Sequence, residues 1–372
     1  MTSSRDLRRD VGELFCTGFH GRGVDKDLER FFKTTHVGSV ILFKENCTGP
    51  EQVWNLTAQL RRAAGAHVLI GIDQEGGRVQ RLKEPFTVLP PMRNVGVTGS
   101  AEVARRVGRV LGTELGGVGV NLDFTPVLDL DLHADSVIGD RAFSAEPRQA
   151  AALGLALADE LWASGVAGCG KHFPGHGATG KDSHVGLPVA DLSLDELRAT
   201  HLVPFALAAK ARVPMIMVAH VLFPAGDPKW PASLSPFWVD TVLRRELGYE
   251  GVVVTDELGM GAIATTIKLD DAILQLLKTS VDLFMIRDRD ACAAAVETVH
   301  RALAVGWVKP ERVHASAERV RTLKQALAGR QLLAERPEDL AALVGDAESL
   351  ALAESLSFEA LPSPAKRERG GG

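Results

Sequence analysis

The chain has 372 residues, 45% hydrophobic and 24% charged, the balance of an ordinary globular protein, and its length allows two average domains or one α/β barrel. A net charge of −5 excludes the strong basic field that would hold nucleic acid or an anionic membrane surface. Cys16, Cys47, Cys169 and Cys292 are scattered without a CxxC pair, which argues against a zinc ribbon or redox motif and for free thiols in a reducing compartment.

The N-terminus, MTSSRDLRRDVGEL, is charged and lacks an apolar signal core, and no run of about 18 apolar residues occurs. The expectation is a cytoplasmic protein without a membrane span. Eight short apolar runs then follow in order: LFCTGF (14–19), GSVILF (38–43), HVLIGID (67–73), VNLDFTPV (120–127), VAGCGKHF (166–173), MIMVAHV (215–221), GVVVTDE (251–257) and VDLFMI (281–286). Near-continuous apolarity suits parallel strands covered on both faces.

Helical patterns alternate with them. EQVWNLTAQLRRAAG follows Pro50 and ends at a glycine. AEVARRVGRVLGTELGG begins after Ser100, an expected N-cap. RQAAALGLALADELWASG ends at Gly165, and SLDELRATHLVPFALAAKA opens with Ser193 and Glu196 in capping-box spacing. FWVDTVLRRELGY, LDDAILQLLKTS and ACAAAVETVHRALAVG complete the rhythm, and PERVHASAERVRTLKQALAG is expected as the last barrel helix. Eight β-then-α units predict a closed (β/α)8 TIM-type barrel rather than an open doubly wound sheet. The expected division is a catalytic domain over 1–330, a helical extension over 331–360 packed outside the barrel, and a disordered tail over 361–372, where LPSPAKRERGGG has almost no core-forming residues.

In such a barrel the chemistry sits at the C-terminal ends of the strands, and the unusual polar residues fall there. They are Asp73 with Arg78 and Arg81, Asp123, Asp129 and Asp131, Asp140 and Arg141, Lys171 and His172, His220, and Asp256 with Glu257. Each also has a plainer reading. Asp129 and Asp131 can cap helices, Asp140 and Arg141 can pair with each other, and His220 can be a satisfied near-core histidine. Metal chemistry fits poorly, because FPG breaks any helix carrying His172 and His176 and no glutamate follows His172. A phosphate loop fits poorly as well, since GHGATGK has the wrong spacing.

Acid–base chemistry remains. Asp182 two residues before His184 can fix the imidazole's tautomer and support its charged form, on a loop flanked by Gly175, Gly177 and Gly180. Asp256, from another strand, is a candidate nucleophile if nearby cations keep its pKa low.

The segments IGIDQEGGRVQRL, VIGDRAF, KHFPGHGATGKDSH and GVVVTDELGMGAI, over about residues 6 to 325, closely resemble family 3 glycoside hydrolases, specifically the single-domain β-N-acetylglucosaminidases of peptidoglycan recycling. The resemblance implies Asp256 as nucleophile, His184 as general acid/base and Asp182 as its partner. It implies Asp73, Arg81, Arg141, Lys171 and His172 as groups holding the sugar. It further implies terminal β-linked N-acetylglucosamine (GlcNAc) as the group removed, retention of configuration, and no cofactor or metal. The partner expected is a small carbohydrate met by a monomer. The family often has two adjacent aspartates where this chain has Asp256-Glu257. A phosphorylase of the same fold and a silent sugar-binding protein are the alternatives.

Overall fold

The computed structural model describes residues 4–132, 136–179, 186–330, 333–335 and 337–358. Eight parallel strands form the centre: β1 (Phe15–Thr17), β2 (Ser39–Leu42), β3 (Leu69–Ile72), β4 (Leu122–Asp123), β5 (Ala167–Phe173), β6 (Met215–Val218), β7 (Val252–Thr255) and β8 (Phe284–Ile286). All eight fall within the apolar runs read from the sequence. The order is β8-β1-β2-β3-β4-β5-β6-β7, every pairing is parallel, and a bridge between Val254 and Leu283 joins β7 to β8. The Thr255 and Leu283 amides, both bonded across that seam at 3.0 Å, close the (β/α)8 barrel.

The two-residue period of a strand sorts the side chains. Cys16, Ile41, Leu69, Leu122, Cys169, Met215, Val252, Val254 and Met285 fill the barrel interior. Phe15, Val40, Ile70, Ile216, Val253 and Phe284 face outward and pack in the larger core with the helices. The inward parity continues past the strand ends. Two residues beyond Ile41, Gly71, Cys169, Val254 and Met285 stand Phe43, Asp73, Lys171, Asp256 and Arg287. The same alternation that builds the apolar core thus delivers charge to the barrel's mouth.

The caps form as the sequence indicates. Ser100 accepts the Val103 amide at the start of Ala101–Gly117, and Ser193 and Glu196 form a reciprocal capping box. Two elements differ from expectation. The segment 193–211 is two helices, Leu194–Ala199 and Leu202–Lys210, because the chain turns at Thr200, whose φ and ψ of −128° and −85° are not helical. Phe237–Glu246 is wound as a π-helix, its C-terminal amide at Leu247 reaching Val242 five residues back.

The helix Pro310–Leu327 corrects a third expectation. The last barrel helix is Arg289–Ala304; Pro310–Leu327 instead crosses the barrel's floor. Val320, Leu323 and Leu327 insert among the inward residues of the strands. Arg312 donates to the carbonyls of Thr279 and Val281, Ser316 and Arg319 to Asp282, Lys324 to Glu13 and Arg321 to Asp10. These partners all lie just before β8 or β1. One amphipathic stripe serves equally to pack outside a barrel or beneath it, so periodicity could not distinguish the two. Beyond it, Pro337–Ala342 and Ala347–Leu356 lie against the outside of the barrel, where Asn94 binds the Leu356 carbonyl at 2.8 Å. The tail expectation for 361–372 lies outside the described residues.

Candidate active site

A cavity of about 650 Å3 opens at the C-terminal mouth of the barrel, within the range of ligand sites. Its depth is a lattice of alternating charge. Lys171 Nζ lies 2.8 Å from Asp73 Oδ1 and 2.6 Å from Glu75 Oε1. Arg81 binds the other Asp73 oxygen at 3.0 Å, and Arg141 grips Glu75 with two bonds of 2.8 Å. The Lys171 and Glu75 side chains are only 2% and 1% exposed. Burial alone would expel such charges, and their mutual attraction reverses its effect. For Asp73 and Glu75 the cost of burial is outweighed by the surrounding cations, which hold both carboxyls below the usual range. For Lys171 and Arg141 burial is likewise outweighed, by the carboxylates, so both stay protonated.

Asp256 follows β7 and lines the same cavity. Its amide donates to the Val218 carbonyl at 3.2 Å, and its Oδ1 accepts the Glu257 amide at 2.8 Å. Burial pushes its carboxyl up, but the His172 and His220 rings, that amide and Lys171 bring it below the ordinary aspartate value. It is an ionised carboxylate at neutral pH, as a nucleophile must be.

His172 is fixed by Asp129, which accepts its ring Nδ1–H at 2.6 Å and its amide at 3.0 Å. The other Asp129 oxygen takes the His176 amide at 2.6 Å. Asp129 is therefore no helix cap; it clamps the start of the histidine loop. His176 stacks edge-on to His172, with ring centroids 5.8 Å apart, and its Nδ1 lies 3.3 Å from Thr179 Oγ1. A Cβ on Gly177 would overlap the Leu130 carbonyl, and Gly175 has φ of +138°. These two glycines anchor the base of the loop by close packing. Gly180, Asp182 and His184 lie outside the described residues.

The other polar candidates separate cleanly. Asp140 and Arg141 do not pair with each other: Asp140 binds Arg78 at 3.1 Å and Arg141 binds Glu75. Asp131 pairs with Arg93 at 2.7 Å. Asp123 is fully buried behind the cavity wall, where burial pushes its carboxyl well up and the Gln74 amide is held at 3.0 Å. His220 is the satisfied core histidine. Its Nε2–H donates to the Glu257 carbonyl at 3.1 Å, so Nδ1 accepts the Ser233 hydroxyl at 2.7 Å. Glu257 Oε1 takes the amides of Arg287 at 3.0 Å and Gly259 at 2.9 Å, which fastens the turn after Asp256 to the end of β8.

The structure thus brings Asp73, Arg81, Arg141, Lys171, His172 and Asp256 around one cavity. Sequence reasoning missed Glu75, although its two-residue step from Asp73 was the signal, and undervalued Asp129. A slightly larger cavity of about 720 Å3, lined by Trp162, Pro214 and Leu323 among others, sits at the opposite end against the floor helix. It gathers none of these residues, so size does not choose the site; the concentration of shifted carboxylates and cations does.

Residues 6–323 match the glycosyl hydrolase family 3 N-terminal domain. A β-hexosaminidase of Thiobacillus denitrificans is 40% identical over 282 residues, 74% of this chain and 77% of that protein. A family 3 β-N-acetylglucosaminidase from Paenibacillus sp. superposes with a TM-score of 0.87 at 35% identity, over 94% of this chain and 68% of that one. NagZ from Neisseria gonorrhoeae, in complex with N-trifluoroacetyl-D-glucosamine, superposes with a TM-score of 0.79 at 32% identity, over 93% and 98%. The barrel, the charged mouth and these likenesses agree, and the chain belongs to glycosyl hydrolase family 3.

Proposed function

We propose that the protein is a retaining exo-β-N-acetylglucosaminidase that removes terminal, non-reducing β-linked GlcNAc, and that its substrates are the GlcNAc-1,6-anhydroMurNAc muropeptides of peptidoglycan recycling. One observation carries the reading: an ionised, partly buried Asp256 facing a cavity whose far wall is a prearranged lattice of hydrogen-bonding charges. The names of its relatives in the same family point the same way.

Asp73, Arg81, Arg141, Lys171 and His172 hold the sugar's hydroxyls in this reading. Their mutual ion pairs fix each donor and acceptor before substrate arrives, so little reorganisation is needed on binding. Asp256 Oδ1 is occupied by the Glu257 amide, which leaves Oδ2 to attack the anomeric carbon. As that bond forms, the glycosidic C–O bond breaks and His184, oriented by Asp182, gives its proton to the leaving oxygen. The glycosyl–Asp256 ester is then cleaved by water, whose proton returns to His184. The cations of the site are already matched by Asp73 and Glu75, which favours neutral water over phosphate as the acceptor.

The test is hydrolysis of 4-nitrophenyl β-GlcNAc by wild type, Asp256→Ala and His184→Ala, with the anomer of the first product read by NMR. Asp256→Ala should lose glycosylation almost wholly. His184→Ala should suffer more on poor leaving groups than on nitrophenol, whose departure needs little protonation. Equal rates for all three proteins would refute the assignment, and GlcNAc-1-phosphate formed in phosphate buffer would change the reaction class.

A further inference from the structure

A second cavity of about 430 Å3 adjoins the active site, and the two share the wall made by Arg81. The rest of the partition is Arg287. Its guanidinium lies 4.4 Å above the Phe43 ring, inside the first cavity, while binding Glu45 at 2.6 Å, inside the second. The second cavity has an apolar floor of Leu82 and Phe86 beneath an exposed rim of Arg22, Lys44 and Lys83.

The charges of this groove are not balanced as those of the active site are. Arg81 is committed to Asp73 and Glu45 to Arg287. Among the described residues, Arg22, Lys44 and Lys83 form no ion pair, and three cations stand against the single carboxylate of Glu84. The loops that carry two of them are held in place. Buried Asn46 donates to the carbonyls of Phe19 at 3.0 Å and Gly21 at 2.7 Å and accepts the Phe43 amide at 2.8 Å. Gln52 binds the Arg22 carbonyl at 2.9 Å. The backbone beneath Arg22 and Lys44 is thus fixed, and the rim's unmatched charge lies one side chain away from the sugar site.

We propose that this groove is a subsite for an anionic oxygen group, carboxylate or phosphate, carried on the leaving-group side of the substrate, with Lys44 and Lys83 as its specificity-determining residues. The proposal rests on the glycosidase reading above and adds to it a preference in the leaving group. A group that left the sugar site past Arg81 would exchange bulk water for two ammonium ions and an apolar floor. Attraction between exposed charges is modest and screened by salt, so the effect belongs in substrate capture and in its ionic-strength dependence.

The experiment uses three β-GlcNAc glycosides of 4-aminophenol, acylated on nitrogen with a neutral succinamide, a succinate or a phosphonopropionate. All three have the same leaving oxygen, so chemistry is held constant. They are compared in wild type, Lys44→Ala/Lys83→Ala and Lys44→Arg/Lys83→Arg. At low salt the wild type should favour an acidic glycoside over the neutral one by about threefold to tenfold in kcat/KM, through KM. The advantage should vanish in the alanine variant, persist in the arginine variant and shrink at high salt, while the neutral glycoside is cleaved equally by all three proteins. Whether the carboxylate or the phosphonate gains more identifies the anion. Equal kcat/KM for neutral and acidic glycosides in wild type overturns the proposal, as does an advantage that survives Lys44→Ala/Lys83→Ala. If no glycoside is cleaved, the glycosidase reading fails instead. Calorimetric titration of wild type and the alanine variant with the free acylated aminophenols then decides the groove: lysine-dependent binding of the acidic ones upholds it, and its absence overturns it.

Discussion

Replacing Glu75 by glutamine tests the charge lattice at its most buried point. Glu75 is bonded twice by Arg141 at 2.8 Å and once by Lys171 at 2.6 Å, and its side chain is 1% exposed. The amide keeps the shape and one acceptor oxygen but removes the charge that two buried cations face. Breaking a buried pair from one side typically costs about 3–5 kcal/mol, because the remaining charge is stranded. Lys171 retains Asp73 at 2.8 Å, which places the expected loss near the lower end, about 3 kcal/mol. Denaturant unfolding followed by circular dichroism measures it. Arg141 and Lys171 are also proposed sugar holders, so a displacement approaching an ångström should lower kcat/KM on 4-nitrophenyl β-GlcNAc by about 100-fold. Arg141→Met added to Glu75→Gln removes one stranded cation, and the double variant should be less destabilised than the two singles summed, by at least about 1.5 kcal/mol. A single-variant loss below about 1 kcal/mol, strict additivity and unchanged turnover together would show that the lattice neither stabilises the barrel mouth nor orders the site.

Acid should destabilise the protein in two stages. His176 and His220 are held below the usual histidine range first by burial, so the unfolded chain takes up protons that the native one refuses once pH falls under about 6.5. Asp73, Glu75, Asp129 and Asp256 are all depressed in the native state; the stability they contribute is present above about pH 4 and is lost as pH falls toward their native values. Lys171 is raised, so its contribution persists at alkaline pH and is lost only above the ordinary lysine value near 10.5. Asp123, Glu114 and Glu257 act in the opposite sense, because burial raises them and their contribution is lost as pH rises above about 4. Thermal unfolding across pH 2–11 should still show the acid losses prevailing, and a maximum near pH 4 would show that the raised carboxyls outweigh the depressed ones. Leu327→Ala in the floor helix, 2% exposed, should cost about 2–5 kcal/mol in urea unfolding while leaving kcat/KM per folded molecule unchanged, because the helix lies at the opposite end of the barrel. Gly177→Ala drives a methyl group into the Leu130 carbonyl and should lower both stability, by about 1–3 kcal/mol, and kcat, since the segment it deforms precedes the proposed acid/base pair in the chain; wild-type values for both would count against an anchored loop.

The fold was legible because the sequence repeats one local rule. Eight apolar runs of strand length alternate with capped helical patterns, and Ser100, Ser193 and Glu196 mark helix starts that the structure keeps. The helix Pro310–Leu327 was legible as a helix but not as a floor, because its destination depends on the path of the chain after the barrel has closed. The site was legible in part for the same local reason. Asp73, Lys171 and Asp256 continue the inward parity of their strands, so a charged residue two steps past an apolar one marks the mouth.

By itself, the amino-acid sequence determined the secondary elements, their alternation and hence a parallel barrel, and it placed titratable residues at the strand ends. Only the tertiary structure decided the partners: Arg141 with Glu75 rather than its neighbour Asp140, Asp129 with His172 rather than with a helix N-terminus, and Lys171 shared between two carboxylates. Hydrophobic periodicity is a property of neighbouring residues, set by the pitch of one strand or helix. Ion pairing inside a barrel joins groups tens of residues apart, and it is chosen by which ends the closed sheet brings within about 3 Å, where burial makes an unpaired charge costly.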